Sequence, residues 1–393
     1  MRRIEMPSEA RKIIDTLYSA GYEAYIVGGC VRDELLGRAP EDYDITTSAP
    51  PEETKRLFEK TVDTGIEHGT VTVIENGKPY EVTTFRIDGE YKDNRHPVSI
   101  SYTSNVKDDL ARRDFTVNAL AYNDREGIID AFSGISDLER GVIRCVRNPS
   151  ERFSEDALRV LRGIRFSSVL GFDIEENTAK AIKEYAKNLK DISAERIYTE
   201  WRKLLSGKGA YDVISEFGDV IYAFAPELSE AEVPPRDGFE GLSWDERQIL
   251  LFASCTSTEY FQSFAKRIKM DTKTRDMAIS VLNNVGDLAE EKNTDLRNFI
   301  IGKSDELLEK CAKIAVKLGI CTENTAIKIN ELISADAPRR LSQLAINGND
   351  VIKLGIKGEK IGKLLDNLLY MVATEQVQNT KENLIDYITK NCL

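Results

Sequence analysis

Gly28-Gly29-Cys30-Val31-Arg32-Asp33-Glu34-Leu35-Leu36-Gly37-Arg38, followed shortly by Glu41-Asp42-Tyr43-Asp44, is the stretch on which the reading of the chain turns. Just before it, Ala24-Tyr25-Ile26-Val27 is a short apolar run that predicts a buried strand. A strand that ends in two glycines lets the backbone approach a ligand closely. The helix expected next, carrying Val31, Leu35 and Leu36 and ended by Gly37, turns free N–H groups and a positive dipole end toward an anion. Arg32 adds a guanidinium fork for phosphate oxygens. Asp42 and Asp44 are two apart, so in a strand both carboxylates share one face. Such a pair repels unless solvent screens it or a cation joins it. Carboxylate oxygens suit Mg²⁺, and a pair of metal ions serves in-line displacement at phosphorus. A D-x-D or a Gly-Gly turn alone is a common surface feature; their succession is what carries weight.

Outward from this stretch, the first ~145 residues alternate strands and helices, about the size of one domain. Residues 8–20 fit an amphipathic helix with Ser8 as cap, Ile13, Ile14 and Leu17 on one face, and Gly21 past its end. Residues 70–74 and 80–85 are β-rich, and Asn76-Gly77 between them is a hairpin signal. A further strand is expected at 119–122. After Cys145 helical periodicity takes over, with helices expected at 154–167, 176–187, 194–205, 245–254, 273–285 and 360–374. The acidic, Pro-bearing stretch 227–238 reads as a surface loop. The expected fold is α+β: an N-terminal head with a small mixed β-sheet and helices, then an all-α neck, body and tail. The expected boundaries are 1–145 for the head, 146–210 for the neck, 211–305 for the body and 306–393 for the tail.

Composition narrows the function classes. The chain has 393 residues, 41% of them hydrophobic, which is enough for real cores. No apolar run approaches a membrane span. Arg2 and Arg3 are not followed by the apolar segment of a secretion signal. The six cysteines are scattered without C-x-x-C spacing, so neither structural zinc nor a disulfide framework is expected, and a reducing cytoplasm fits. With only His68 and His96 present, carboxylates are the available metal ligands. The net charge of −12 argues against a protein that coats nucleic acid, so any RNA substrate requires a local basic patch. Nothing calls for a stable protein partner.

The string G-G-C-V-R-D-E-L-L-G-R…D-Y-D resembles the class II tRNA nucleotidyltransferases, the CCA-adding enzymes, and the related bacterial poly(A) polymerases. Further segments match in the family's order: Arg112-Arg113-Asp114-Phe115-Thr116-Val117-Asn118-Ala119, Asp130-Ala131-Phe132-Ser133-Gly134 with Asp137-Leu138, Glu155-Asp156-Ala157-Leu158-Arg159, and Ile192-Ser193-Ala194-Glu195-Arg196-Ile197 through Glu200. The resemblance implies addition of C and A to the 3′ end of tRNA from CTP and ATP, with Mg²⁺ at Asp42 and Asp44. It implies a third catalytic carboxylate at Glu81, ribose recognition through Arg113, Asp114 and Asn118, and a hinge near residues 130–138. It implies that Asp156 and Arg159 read the base while Glu155 orients Arg159, and that residues 88–97 form a loop that helps the change from C to A addition.

Each residue also has a plain reading. Arg113 and Asp114 form an ordinary ion pair in most proteins, although the apolar residues after them border a core. Glu155, Asp156 and Arg159 are expected on one helix, where i,i+3 and i,i+4 pairs also stabilise a surface. An arginine fork beside a carboxylate, however, mimics a Watson–Crick edge. Arg162 and Arg165 continue that stripe toward phosphates or solvent. His68 is read as structural. Residues 239–285 lie where some relatives carry an HD metal module, but this stretch has no histidine. Lys353, Lys357, Lys360 and Lys363 supply the basic patch, in a tail that by resemblance holds tRNA. A CC-only or A-only enzyme shares these motifs. A poly(A) polymerase would carry a basic extension that is absent here, and a non-catalytic tRNA-binding protein would not need the acid pair.

Overall fold

The computed structural model describes residues 4–89, 99–255, 257–289, 295–335 and 338–391. They fall into two compact units, Met1–Ser229 and Glu230–Leu393.

The first unit opens with α1 (Ser8–Ser19), which buries Ala10, Ile13, Ile14 and Leu17. Ser8 does not cap it. Pro7 holds the cap position, and the Ser8 hydroxyl donates to the Glu9 carboxylate instead, at 3.0 Å. A seven-stranded sheet follows: β1 (Ala24–Val27), β2 (Ile45–Thr47), β3 (Thr61–Gly65), β4 (Thr70–Glu75), β5 (Lys78–Thr84), β8 (Leu120–Asn123) and β9 (Gly127–Asp130). Its order is β3-β4-β5-β2-β1-β8-β9. Only β2 and β5 run parallel, so the sheet is mixed, as expected from a hairpin in an α/β segment. Asn76 and Gly77 both have positive φ, and the Glu75–Lys78 pair closes the hairpin around them. Strand β3 escapes a reading by periodicity because it is a polar, mostly exposed edge strand. A short ribbon of β6 (Arg86–Asp88) and β7 (Ile100–Tyr102) stands apart from the sheet. The C-to-A loop expected at 88–97 falls, beyond Asp88 and Gly89, outside the described residues.

Helices α2 (Gly29–Leu35), α3 (Pro51–Leu57), α4 (Val106–Ala111) and α5 (Gly134–Arg140) complete the head. Tyr25, Val27, Phe85, Val106, Leu110, Ala119, Ala121 and Val146 form one of its core clusters. Next come α6 (Pro149–Glu155), α7 (Leu158–Leu170), α8 (Glu176–Tyr185) and α9 (Ala194–Ser206). The single helix expected over 154–167 is in fact two. Asp156 is extended, at φ −136° and ψ 105°, and its carboxylate accepts the Leu158 N–H at 3.0 Å. A short acidic side chain that captures a free N–H two residues ahead starts a new helix rather than continuing the old one. Helix α7 packs along α9. Gly163 on α7 allows close packing, since a Cβ there would lie 2.8 Å from Ile182 and 3.1 Å from Phe115.

The stretch 227–238, read as a plain loop, carries two 3₁₀ turns, Pro226–Glu230 and Arg236–Phe239. The second unit is helical, including Trp244–Ala253, Thr258–Arg267, Thr272–Asn284, Asp305–Lys317 and Glu323–Ser334. Near the end, Leu344, Ile346, Val351, Leu364, Leu368, Leu369, Val372, Leu384 and Ile388 form their own core. Lys353, Lys357, Lys360 and Lys363 are exposed at its surface. Among the described residues no helix is long and apolar enough to cross a membrane.

Candidate active site

A cleft of about 770 Å³ opens in the first unit. The Gly28-Gly29 turn, Arg32, Asp42 and Asp44 line it, as do Arg113, Asp114 and Asn118, and Asp156, Arg159 and Arg162. Three segments separated by tens of residues thus meet in one place. Glu81 and Glu155 are not part of its lining.

The turn is built for glycine. Gly28 has φ +81° and ψ −124°, its N–H donates to the Leu120 carbonyl at 2.9 Å, and its carbonyl accepts from Arg32 N–H at 3.1 Å. A Cβ on Gly28 would lie 2.8 Å from Nη1 of Arg113. Gly28→Ala is therefore expected to cost about 1–3 kcal/mol of stability, since this φ and ψ combination is essentially open to glycine alone. It should also raise nucleotide KM about tenfold by displacing Arg113, an effect worth roughly 1.4 kcal/mol. Thermal unfolding and steady-state kinetics check the two parts, and an unchanged KM would remove Arg113 from the site.

Arg32 is less free than its position in the sequence implies. Its Nε and Nη2 engage the Asp33 carboxylate at 2.9 and 2.8 Å, and Nη1 donates to Oδ1 of Asn118 at 2.6 Å. Asn118 Nδ2 donates in turn to Asp114 at 3.2 Å. Both Asp114 oxygens are occupied. Oδ1 also takes the Phe115 N–H at 2.8 Å, and Oδ2 takes Arg162 at 2.7 and 2.6 Å. Burial works to raise the Asp114 carboxyl, but Arg162, the hydrogen bonds and Arg159 outweigh it and hold it well below the ordinary carboxylate range. The side chain expected to meet a ribose hydroxyl here ties Asn118 to Arg162.

Asp42 and Asp44 lie in the segment just ahead of β2, not within the strand. The β1 ladder nevertheless continues past it, because Val27 N–H donates to the Asp44 carbonyl at 3.0 Å. The parallel register Ile45–Val82 brings Asp44 alongside Glu81 one residue earlier. Enclosure by the cleft walls and the charges of Asp42 and Glu81 push the Asp44 carboxyl up to about 6, while Arg113 pulls the other way. Such crowding is what a hard divalent cation relieves, so the donor set fits one at Asp42 and Asp44. The charge of Glu81 adds to that of Asp42 in raising the Asp44 carboxyl. Cys30, buried beside Asp44, has its thiol pushed up to about 12 by burial and that charge, and is no nucleophile.

On the opposite wall, Arg159 Nη1 donates to Glu155 at 2.7 Å and to the Arg152 carbonyl at 3.2 Å, and Nη2 donates to the Arg112 carbonyl at 3.0 Å. Glu155 also pairs with Arg152. The Arg159 fork is thus fixed from behind by Glu155. Asp156 pairs with Arg196 of α9 at 3.1 Å rather than with Arg159. Arg165 pairs with Glu200 at 2.7 Å and stacks over Phe166 at 3.5 Å, a ring also flanked by Arg32 and Arg162. Phe166, Arg38, Lys203 and Ser206 line the cleft as well. Sequence reading did not single out Phe166, Lys203 or Ser206. Helical spacing from Arg162 and Glu200 was the signal available for them.

Family models match three stretches of the chain: the poly(A) polymerase head domain at residues 24–144, the probable RNA- and SrmB-binding site of polymerase A at 171–217, and tRNA nucleotidyltransferase domain 2 at 242–388. The chain is 37% identical to the CCA-adding enzyme of Lactiplantibacillus plantarum, over 98% of its own length and 97% of that protein. It is 37% identical to that of Geobacillus kaustophilus, over 98% of each. Its structure is similar to that of the Bacillus stearothermophilus CCA-adding enzyme in complex with CTP, with a TM-score of 0.81, 32% identity and 98% of each chain covered.

Proposed function

The chain belongs to the class II tRNA nucleotidyltransferases, the family of the CCA-adding enzymes, and from that premise we propose that the cleft between Gly28 and Arg162 is where its nucleotide is bound and joined to tRNA. The protein adds C and A to the 3′ end of tRNA, without a nucleic-acid template, from CTP and ATP. The observation that supports this site is the meeting, in one cleft, of the phosphate turn, the acid pair and the Asp156–Arg159 wall.

In this reading Gly28, Gly29 and Arg32 receive the triphosphate, Arg113, expected on the ribose, is reassigned to the same end by its place against the Gly28 turn, and Asn118 and Arg162, set by Asp114, hold the ribose side. Asp156 and Arg159 face the base in place of a template. The family uses divalent metal ions, and the ions proposed at Asp42 and Asp44 are Mg²⁺, which when bound lowers the pKa of the attacking hydroxyl and neutralises pyrophosphate. Glu81 is proposed as the third catalytic carboxylate, beside that pair. Head, neck, body and tail boundaries at residues 145, 210 and 305 are proposed, with the exposed tail lysines on the tRNA and the cytoplasm as the site of action.

Purified protein with Mg²⁺, CTP and ATP should extend a tRNA that ends at its discriminator base by C, C and A, as read by product sequencing. Products stopping after C-C, or long A tails, would replace full CCA addition by one of the sister activities.

A further inference from the structure

Asp109 is a fully buried carboxylate that does not line the cleft. It sits on α4, three residues before Arg112 and four before Arg113, and it engages both, at 2.8 and 3.6 Å. It also accepts the Arg86 backbone N–H at 3.4 Å and the Thr46 hydroxyl at 3.2 Å, whose single hydrogen it shares with the Thr83 carbonyl at 3.3 Å. Thr46 is two residues beyond Asp44 on β2, so this one carboxylate joins the strand that presents the acid pair to the arginine that faces it.

Arg113 depends on that anchor. Its guanidinium is enclosed between the Gly28 turn and Asp109, and its Nε has no hydrogen-bond partner among the described residues. Burial weakens its hold on its proton, and the carboxylates of Asp109, Asp44 and Asp114 offset this against the repulsion of Arg112. Asp44 and Asp114 belong to the cleft, whereas Asp109 lies behind it. The neighbouring Arg112 carbonyl receives Arg159, so the same clasp steadies the backbone on which the base-facing arginine rests.

We propose that Asp109 is a positioning residue for nucleotide binding: by clasping Arg112 and Arg113 from behind, it holds the Arg113 guanidinium against the Gly28 turn, where the nucleotide is received. This rests on the assignment of Arg113 to the nucleotide. Because it acts at the end of the cleft shared by all nucleoside triphosphates, its loss affects CTP and ATP alike. A carboxylate that merely neutralises the core would alter stability and leave nucleotide KM unchanged.

A double-mutant cycle on the full chain separates these roles, with KM and kcat for CTP and for ATP measured on tRNA ends awaiting C or A, below the unfolding temperature of every variant. Asp109→Asn should raise KM for both nucleotides by a similar factor, about tenfold, with a smaller change in kcat. In an Arg113→Ala background the same substitution should add less than about twofold, since neighbours acting through one group are not additive. KM within twofold of wild type for folded Asp109→Asn, or its full effect persisting without Arg113, would overturn the proposal. If Arg113→Ala alone leaves KM unchanged, the failure lies in the assignment of Arg113 instead, and the proposal falls with it. Should Asp109→Asn not fold, Thr46→Val removes one donor to the carboxylate while keeping its charge. A KM rise of about threefold that vanishes in the Arg113→Ala background would then support the clasp, and no rise would refute it.

Discussion

Asp44→Asn should lower the rate of nucleotide addition by roughly a thousandfold or more, about 4 kcal/mol of transition-state stabilisation, while leaving the protein folded. The substitution keeps the side chain's size and removes the charge that a divalent cation needs. Stability should not fall. The folded protein holds the Asp44 carboxyl at about 6, above its ordinary value of 3.8. An acid shifted upward makes folding less favourable as pH rises from the unfolded value through the folded one, and at neutral pH that cost is fully present. The neutral amide of the Asp44→Asn variant escapes it, so the variant's unfolding temperature at pH 7 should equal or exceed the wild type's. Single-turnover extension of tRNA, beside a thermal melt, gives both readings. A loss below tenfold in folded protein would remove Asp44 from the reaction.

Asp114→Asn should be the most damaging single change to the wall between the turn and α7. Asn presents one acceptor and one NH₂ group where four donors converge: Phe115 N–H, Asn118 Nδ2, and Nε and Nη2 of Arg162. Among the described residues, Glu200 at 3.9 Å is then the carboxylate left in an ion pair with Arg162, beside the Phe166 ring. Removing one partner of a fully buried pair costs about 3–5 kcal/mol; the Arg162 side chain is 33% exposed, so the loss here is expected to be at most about 3 kcal/mol. Here the pH dependence has the opposite sign. The folded state holds the Asp114 carboxyl below its ordinary value of 3.8, so its contribution is fully present above that value and fades as pH falls through it toward the folded pKa. The stability gap between wild type and Asp114→Asn, measured by urea unfolding from pH 7 down to 3, should therefore be constant near neutrality and begin to narrow below about pH 4. A gap that stays constant throughout would mean that the carboxylate charge is not what holds Arg162. Nucleotide KM should rise too, because Asn118 and, through it, Arg32 lose their anchor.

Much of the head was legible because its signals are local. Strand β1, the Gly28-Gly29 turn and the Asn76-Gly77 hairpin rest on burial of an apolar run and on φ values that glycine and asparagine tolerate. Helix α1 follows from one apolar face, although its cap went to Pro7 rather than Ser8. Where a polar side chain competes with the local pattern, periodicity misleads. Asp156 interrupts an otherwise helical stretch by capturing Leu158 N–H, and no count of apolar spacings registers that. Strand β3 has no apolar alternation, because an edge strand needs none.

Taken by itself, the sequence determined the α+β class, the order of turn, acid pair, Arg113-Asp114 and Asp156–Arg159, and so the family and its chemistry. These depend on residue type and spacing, which the chain carries whatever its conformation. Only the tertiary structure decided which charged groups are already paired. Arg32 is held by Asp33 and Asn118, Asp114 by Arg162, Asp156 by Arg196 rather than Arg159, and Arg112 and Arg113 by the buried Asp109. The reason is that an ion pair is chosen through space. A carboxylate four residues away and one forty residues away compete on distance and burial alone, and only packing sets those.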